Sequence, residues 1–229
     1  MEDLKAMLMG RGAVLVGFAG LRGLAGEAPD GLPFGVSIAA AIEPHIVAGI
    51  RNGPTPEYLT EYNRLNKLLD KLGESAAELL RQKGHRAEPL SATGAGVDWE
   101  TLRSRLPHKT VATRAGLGWV GKCALVVTEP YGSGVRFTSV LTDADLPAGR
   151  PEDESRCGEC TACVDVCPAE APTGRHWRAG MAREEIFDAF ACFEDIRERA
   201  ARRGDDIYVC GMCIAACPFT QQYLQRSGV

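Results

Sequence analysis

The sequence predicts two kinds of structure in series: a mixed α/β (α+β) domain over residues 1–148, then a small, mainly helical domain over 149–229. Three observations carry this. Short apolar runs bounded by glycine and proline lie in the first part, a long helical stripe starts near residue 55, and eight of the nine cysteines fall between Cys157 and Cys217. At ~150 residues per domain, 229 residues give roughly one and a half domains. An apolar share of 45% with 24% charged residues is ordinary globular composition, which argues against disorder.

Charge divides the chain in the same place. Residues 1–150 carry 17 basic and 16 acidic side chains, residues 151–229 carry 9 and 14. The net charge of −4 offers no basic field to a nucleic acid. Between the halves, Asp145-Leu-Pro-Ala-Gly-Arg-Pro-Glu-Asp-Glu-Ser155 reads as a linker or long loop.

Within the first half, Ala13–Phe18 and Val36–Ile42 read as buried strands. Thr55-Pro56-Glu57 supplies an N-cap, a proline at the first helical position and an early acid. Tyr58, Leu59, Tyr62, Leu65, Leu68, Leu69, Leu72, Ala76, Leu79 and Leu80 then recur at helical spacing until Gly84, the apolar stripe of one long core helix. Ala124–Thr128 and Val135–Leu141 flank Glu129-Pro-Tyr-Gly-Ser-Gly134, which predicts a hairpin with a glycine-rich turn. No stretch approaches the ~18 apolar residues of a membrane span, so no membrane partner is expected. The acidic start Met1-Glu2-Asp3 lacks the marks of a secretory signal, so a cytoplasmic setting with reduced thiols is expected.

The cysteines carry the chemistry. Cys157, Cys160, Cys163 and Cys167-Pro168 form C-x2-C-x2-C-x3-C-P, the run that bacterial ferredoxins use for 4Fe-4S clusters. Cys210, Cys213 and Cys217-Pro218 form C-x2-C-x3-C-P, with Cys192 eighteen residues before them. In the ferredoxin arrangement three close cysteines hold one cluster and the fourth crosses to the other. Applied here, Cys157, Cys160, Cys163 and Cys217 form one set and Cys167, Cys192, Cys210 and Cys213 the other. The second domain is thus expected to be bacterial-ferredoxin-like, with two 4Fe-4S clusters. A zinc ribbon has no need of the third cysteine, and disulfides need an oxidising compartment. The acidic surroundings favour low reduction potentials, and helix across Glu184–Arg199 is expected to cover the clusters. Cys123 is left over, either a buried inert thiol or one made reactive by Lys122.

Gly116-Leu-Gly118-Trp-Val-Gly121 matches G-x-G-x-x-G, but in the wrong order for a dinucleotide fold. The helix-like Leu106–Arg114 precedes it and the strand-like Lys122–Val127 follows. The glycines then serve close backbone approach to a flat or bulky ligand, with Trp119 as ligand wall or core residue. His108 and Lys109 are candidates for proton donor and anion contact, the alternative being a solvated helix end. His45, His85 and His176 read as surface or capping residues.

Ala115-Gly-Leu-Gly-Trp-Val-Gly-Lys122, the following strand, the Tyr-Gly turn, Leu141-Thr-Asp143 and the cysteine array, in this order, resemble the epoxyqueuosine reductase family over about residues 55–220, its shorter relatives most. The resemblance implies an oxidoreductase whose clusters feed electrons to a corrinoid (cobalamin) bound between the two domains. Gly116, Gly118, Trp119, Gly121, Lys122 and Val126 would then help form its bed. It also implies an electron-donor protein of ferredoxin or flavodoxin type. Two features depart from the family. Its acidic Asp-Thr-Gly-Pro stretch has no carboxylate counterpart in Thr101–Thr110; Asp98 and Glu100 lie nearby without matching. The helical-repeat region used for tRNA is not matched, since the chain ends eleven residues after Pro218, so tRNA is not expected as a partner. The competing expectation is a ferredoxin-like relay to a partner protein, with no corrinoid.

Overall fold

From the N-terminus, the chain forms α1 (Glu2–Gly10), β1 (Leu15–Gly20), β2 (Phe34–Ala41), α2 (Pro44–Gly49) and α3 (Pro56–Gln82). Next come β3 (Ala87–Leu90), β4 (Val97–Asp98), β5 (Arg103–Ser104), α4 (His108–Arg114), β6 (Trp119–Val120), β7 (Val126–Val127) and β8 (Val135–Thr142). The remainder carries α5 (Ala162–Asp165), a 3-10 turn at Arg183–Glu185, α6 (Ala189–Arg203), α7 (Met212–Ala216) and α8 (Pro218–Arg226). The computed structural model describes residues 1–24, 31–93 and 96–229.

These elements fold into two compact units, residues 1–41, 64–118 and 135–152 in one, and 42–63, 119–134 and 153–229 in the other. The expected boundary is 148/149, and the last crossover between the units falls at 152/153. However, segments 42–63 and 119–134 group with the cysteine-bearing region, for a local reason. Tyr223 Oη donates to Ile42 O at 2.9 Å, Ser133 N donates to Thr220 Oγ1 at 3.1 Å, and Trp119 meets the Phe219 ring edge-on at 5.0 Å.

The first unit is an antiparallel sheet of order β1-β2-β8-β3. Central β2, Phe34-Gly-Val-Ser-Ile-Ala-Ala-Ala41, is buried along almost its whole length, as its unbroken small and apolar run requires. Helix α3 is the long helix expected from the stripe; its cap is Thr55, whose Oγ1 accepts from Tyr58 N at 3.2 Å. Leu65, Leu69, Leu72, Ala76 and Leu80 are its fully buried face in this unit. The mixed α/β class predicted for this part is the one observed.

Two expectations change. Ala124–Thr128 and Val135–Leu141 do not pair as a hairpin. β7 pairs with β6 (Trp119↔Val127, Val120↔Val126), whereas β8 is claimed by β2 and β3. The turn closes on itself at Thr128↔Gly132 instead. The expected linker is also not free up to residue 152: Gly149 N donates to Phe18 O at 2.8 Å and Glu152 N to Thr113 O at 2.9 Å. Gly116, at φ +72°, lets the Arg150 carbonyl approach closely, where any side chain would be in the way.

The second unit has short helices and long turns. The helix expected over Glu184–Arg199 is broken: a 3-10 turn ends at Glu185, and Asp188 caps α6 by accepting from Phe190 N (3.0 Å) and Ala191 N (2.9 Å). A helix N-cap competes with helix continuation, so the aspartate sets the start. Gly204, left-handed at φ 72°, ends it.

Candidate metal centre

Cys157, Cys160, Cys163 and Cys217 line one cavity of about 120 Å³ together with Gly121, Lys122, Cys123, Val127, Pro218 and Phe219. Cys217 stands between α7 and α8, whose first residue is Pro218, and the other three come from the turn before α5 and from α5 itself. Gly121 matters here, because a Cβ would run into Val127 at 2.8 Å and stand 3.6 Å from Cys157 Sγ. Trp119 and Val127 pack against Cys217, with Cys157 and Phe219 beside them.

Two polar groups test whether this cavity fits an anionic iron-sulfur cluster. Trp119 Nε1 is buried without a hydrogen-bond partner among the described residues, and a cluster sulfur would give this donor an acceptor. Lys122 is buried, and its Nζ donates to Gly158 O (2.9 Å) and Cys160 O (3.0 Å), carbonyls of the cysteine turns. A buried ammonium is costly unless negative charge lies near. The four thiolates and the cluster they hold supply it. The residues fit.

Cys192 lies on α6, with Cys167 and Cys210 near it. Burial first, then neighbouring Cys167 and Cys210, push the Cys192 thiol up to about 11. Arg199 donates from Nη2 to Cys210 Sγ at 3.1 Å and from Nε to Asp195 Oδ2 at 2.8 Å. Cys123 lies between the sets. It is fully buried, and its contact with Cys163 lowers its pKa while contact with Cys213 and desolvation carry it well up. Cys163 is raised too, by its hydrogen bond with Cys123 and by burial. A raised thiol is a poor nucleophile, so of the two expectations for Cys123 the inert one matches its setting.

Residues expected at a corrinoid bed lie as follows. Gly116 is exposed and faces Arg150; Gly118, Trp119, Gly121, Lys122 and Val126 are all buried or nearly so. Gly121 and Lys122 line the cysteine cavity and Trp119 backs it, which fits these three to the first cluster. His108 borders a separate cavity of about 420 Å³ with Ser91, Thr93, Arg105 and Leu106. Both its ring nitrogens are engaged within the fold, Nε2 with Ser91 O (2.9 Å) and Nδ1 with Ser139 Oγ (3.0 Å). The Ser91 carbonyl only accepts, so Nε2 carries the proton and Nδ1 accepts from Ser139. Lys109 follows it in the first turn of α4. His176, read as a surface residue, contacts Gly158 O through Nε2 at 2.8 Å in the first cysteine turn. Sequence reasoning missed Phe219, Arg199 and Arg156, whose guanidinium lies over the Trp119 ring at 4.2 Å. An aromatic after Cys217-Pro218, and an arginine four residues after Asp195 on a cysteine-bearing helix, were the available signals.

Residues 156–220 match the family model described as a 4Fe-4S double cluster binding domain. Fold and site thus define an iron-sulfur protein with two 4Fe-4S clusters attached to a mixed α/β unit, reductase-like in architecture. Among curated proteins it is similar to epoxyqueuosine reductases: 28% identical over 172 residues to that of Aliivibrio fischeri and 31% over 167 residues to that of Lactococcus garvieae, covering 71% of this chain in each case. The chain spans only 40% and 46% of the length of those two relatives. Solved structures share the fold. An epoxyqueuosine reductase with a tRNA-Tyr epoxyqueuosine-modified stem loop matches at TM-score 0.64 and 20% identity, over 96% of this chain and 65% of that one. A catabolic reductive dehalogenase matches at 0.73 and 18%, over 99% and 33%, and a reductive dehalogenase described for B12-dependent dehalogenation at 0.71 and 18%, over 99% and 33%. Among the described residues no helix is long and apolar enough to cross a membrane.

Proposed function

We propose that this chain is a two-cluster electron relay for a low-potential reduction, with Cys157, Cys160, Cys163 and Cys217 holding one cluster and Cys167, Cys192, Cys210 and Cys213 the other. The observation that carries the reading is the cavity in which Cys217 joins three cysteines more than fifty residues earlier in the chain. When bound, each cluster stores and releases one electron at a time. The protein's part is to hold eight thiolates in two sets, to keep water from the first set with Trp119, Val127 and Phe219, and to place charge beside each.

The acceptor we propose is a corrinoid, and its support is the likeness to a reductive dehalogenase described for B12-dependent chemistry. The electron donor is a small redox protein of ferredoxin or flavodoxin type. The burial of Trp119, Gly121 and Lys122 against the cysteines favours a second reading, in which the acceptor belongs to a partner protein. A tRNA substrate stays in the test, since one relative was solved with a tRNA stem loop. The experiment is anaerobic reconstitution followed by an iron count and titration with cobalamin, watched in the visible spectrum. Eight irons per chain and a shifted corrinoid spectrum are expected. Eight irons without any shift would leave the relay and remove the corrinoid, and fewer than eight would overturn the two-cluster reading. A modified tRNA stem loop added to the loaded protein then shows whether RNA binds.

A further inference from the structure

The two cysteine sets differ in the charge built beside them. At the first, Lys122 is buried and no carboxylate pairs with it among the described residues; its ammonium is held by two main-chain carbonyls of the cysteine turns. Trp119 adds a buried N–H with no partner, packed with Cys157 and Cys217. At the second, the nearby cations are Arg199, which donates to Cys210, and Arg203, and each is neutralised, by Asp195 at 2.8 Å and by Asp205 at 2.7 Å. Charge and hydrogen bonds around a cluster are the protein's means of setting its potential. A positive charge in a poorly solvated site stabilises the more negative, reduced state far more than a solvated charge would.

From this asymmetry we infer that Lys122, assisted by the Trp119 N–H, makes the Cys157–Cys160–Cys163–Cys217 site the electron sink of the pair. An electron delivered to the Cys167–Cys192–Cys210–Cys213 site by a one-electron donor is drawn onward to the first site. The second is thereby oxidised by one electron and the first reduced by one, and no proton is required. Lys122 and Trp119 act here as tuning residues that set the direction of flow. The inference rests on the proposed relay.

The test is an EPR-monitored redox titration of the reconstituted full chain, with dithionite as reductant. Cys160→Ser and Cys213→Ser assign the two signals by abolishing one each. Wild type should reduce first at the signal that Cys160→Ser abolishes. Lys122→Met should move that midpoint to more negative potential and leave the other in place, Lys122→Arg should restore it, and Trp119→Phe should produce a smaller shift in the same direction. Unmoved midpoints in both Lys122→Met and Trp119→Phe, an equal shift of both signals, or a shift confined to the signal lost in Cys213→Ser would overturn it. Should Lys122→Met fail to load iron, Trp119→Phe and Lys122→Arg decide: a negative shift of the first signal in Trp119→Phe, with Lys122→Arg like wild type, supports the inference, and no shift in Trp119→Phe overturns it. A wild type that does not take up eight irons overturns the relay itself, whereas full loading with unmoved potentials overturns only the tuning.

Discussion

The sheet unit and the cysteine unit are stabilised by different means. In the first, Val36, Ile38, Ala39, Leu65, Leu69 and Ala76 lose essentially all solvent contact, and a four-stranded ladder satisfies the backbone. The second unit buries Val47, Ile50, Trp119, Val120, Val127 and Leu224 in its other segments, but from residue 153 to 213 the buried side chains among the described residues are only Ala171, Pro172, Ile186, Ala200 and Ile207. So few apolar groups cannot offset the chain entropy of sixty ordered residues. Clusters held by the cysteines would supply a core for that stretch, and binding free energy there would be folding free energy. The sheet unit is folded by its side chains, whereas the stretch 153–213 leans on what its cysteines hold.

Removing iron breaks the comparison most directly. Anaerobic chelation should collapse backbone exchange protection across 153–217 while α3 from Leu65 onward and β2 keep theirs, as read by hydrogen–deuterium exchange. Equal loss in both regions would show that the sheet unit also depends on the clusters. The reverse experiment is Leu69→Ala. Leu69 is fully buried on α3, and truncation should cost about 2–5 kcal/mol, seen as a lower melting temperature at unchanged iron content.

A pH effect should also belong to the sheet unit. Unfolded, the His108 ring takes up a proton near its ordinary value of about 6.5. Folded, burial holds it neutral to lower pH, although its bond to the Ser91 carbonyl opposes this. The unfolded state therefore binds more protons just below that value. Stability is full above about pH 6.5 and declines as pH falls toward the folded-state value. Melting the wild type and His108→Gln at pH 7.5 and 5.5 checks this: the pH-dependent loss should shrink in the variant. An unchanged difference would remove His108 as its source.

What was legible in the sequence follows the same division. The cysteine sets were readable because ligand spacing is a local rule that a cluster enforces. Helix α3 was readable because its stripe and its Thr55-Pro56 start agree. Strand pairing was not: the turn at Glu129–Gly134 looks like a hairpin, yet β8 finds longer partners in β2 and β3, and no local signal ranks distant pairings. Lys122 was read as part of a ligand bed because its own stretch gives no sign that its ammonium ends on the carbonyls of Gly158 and Cys160, some forty residues later.

The smallest effect tests whether local helix chemistry matters in a region folded by cofactor. Asp188 caps α6 with two hydrogen bonds, and α6 carries Cys192 in its first turn. Asp188→Ala should cost about 1 kcal/mol, as lost N-caps do. In the sheet unit such a loss would spread over a cooperative core. Here it falls on one ligand, so it should appear as faster loss of iron from the Cys192 site under chelator, with little change in the melting of the sheet. Retaining that iron at the wild-type rate would mean that the cluster imposes the helix start by itself, and that Asp188 only follows.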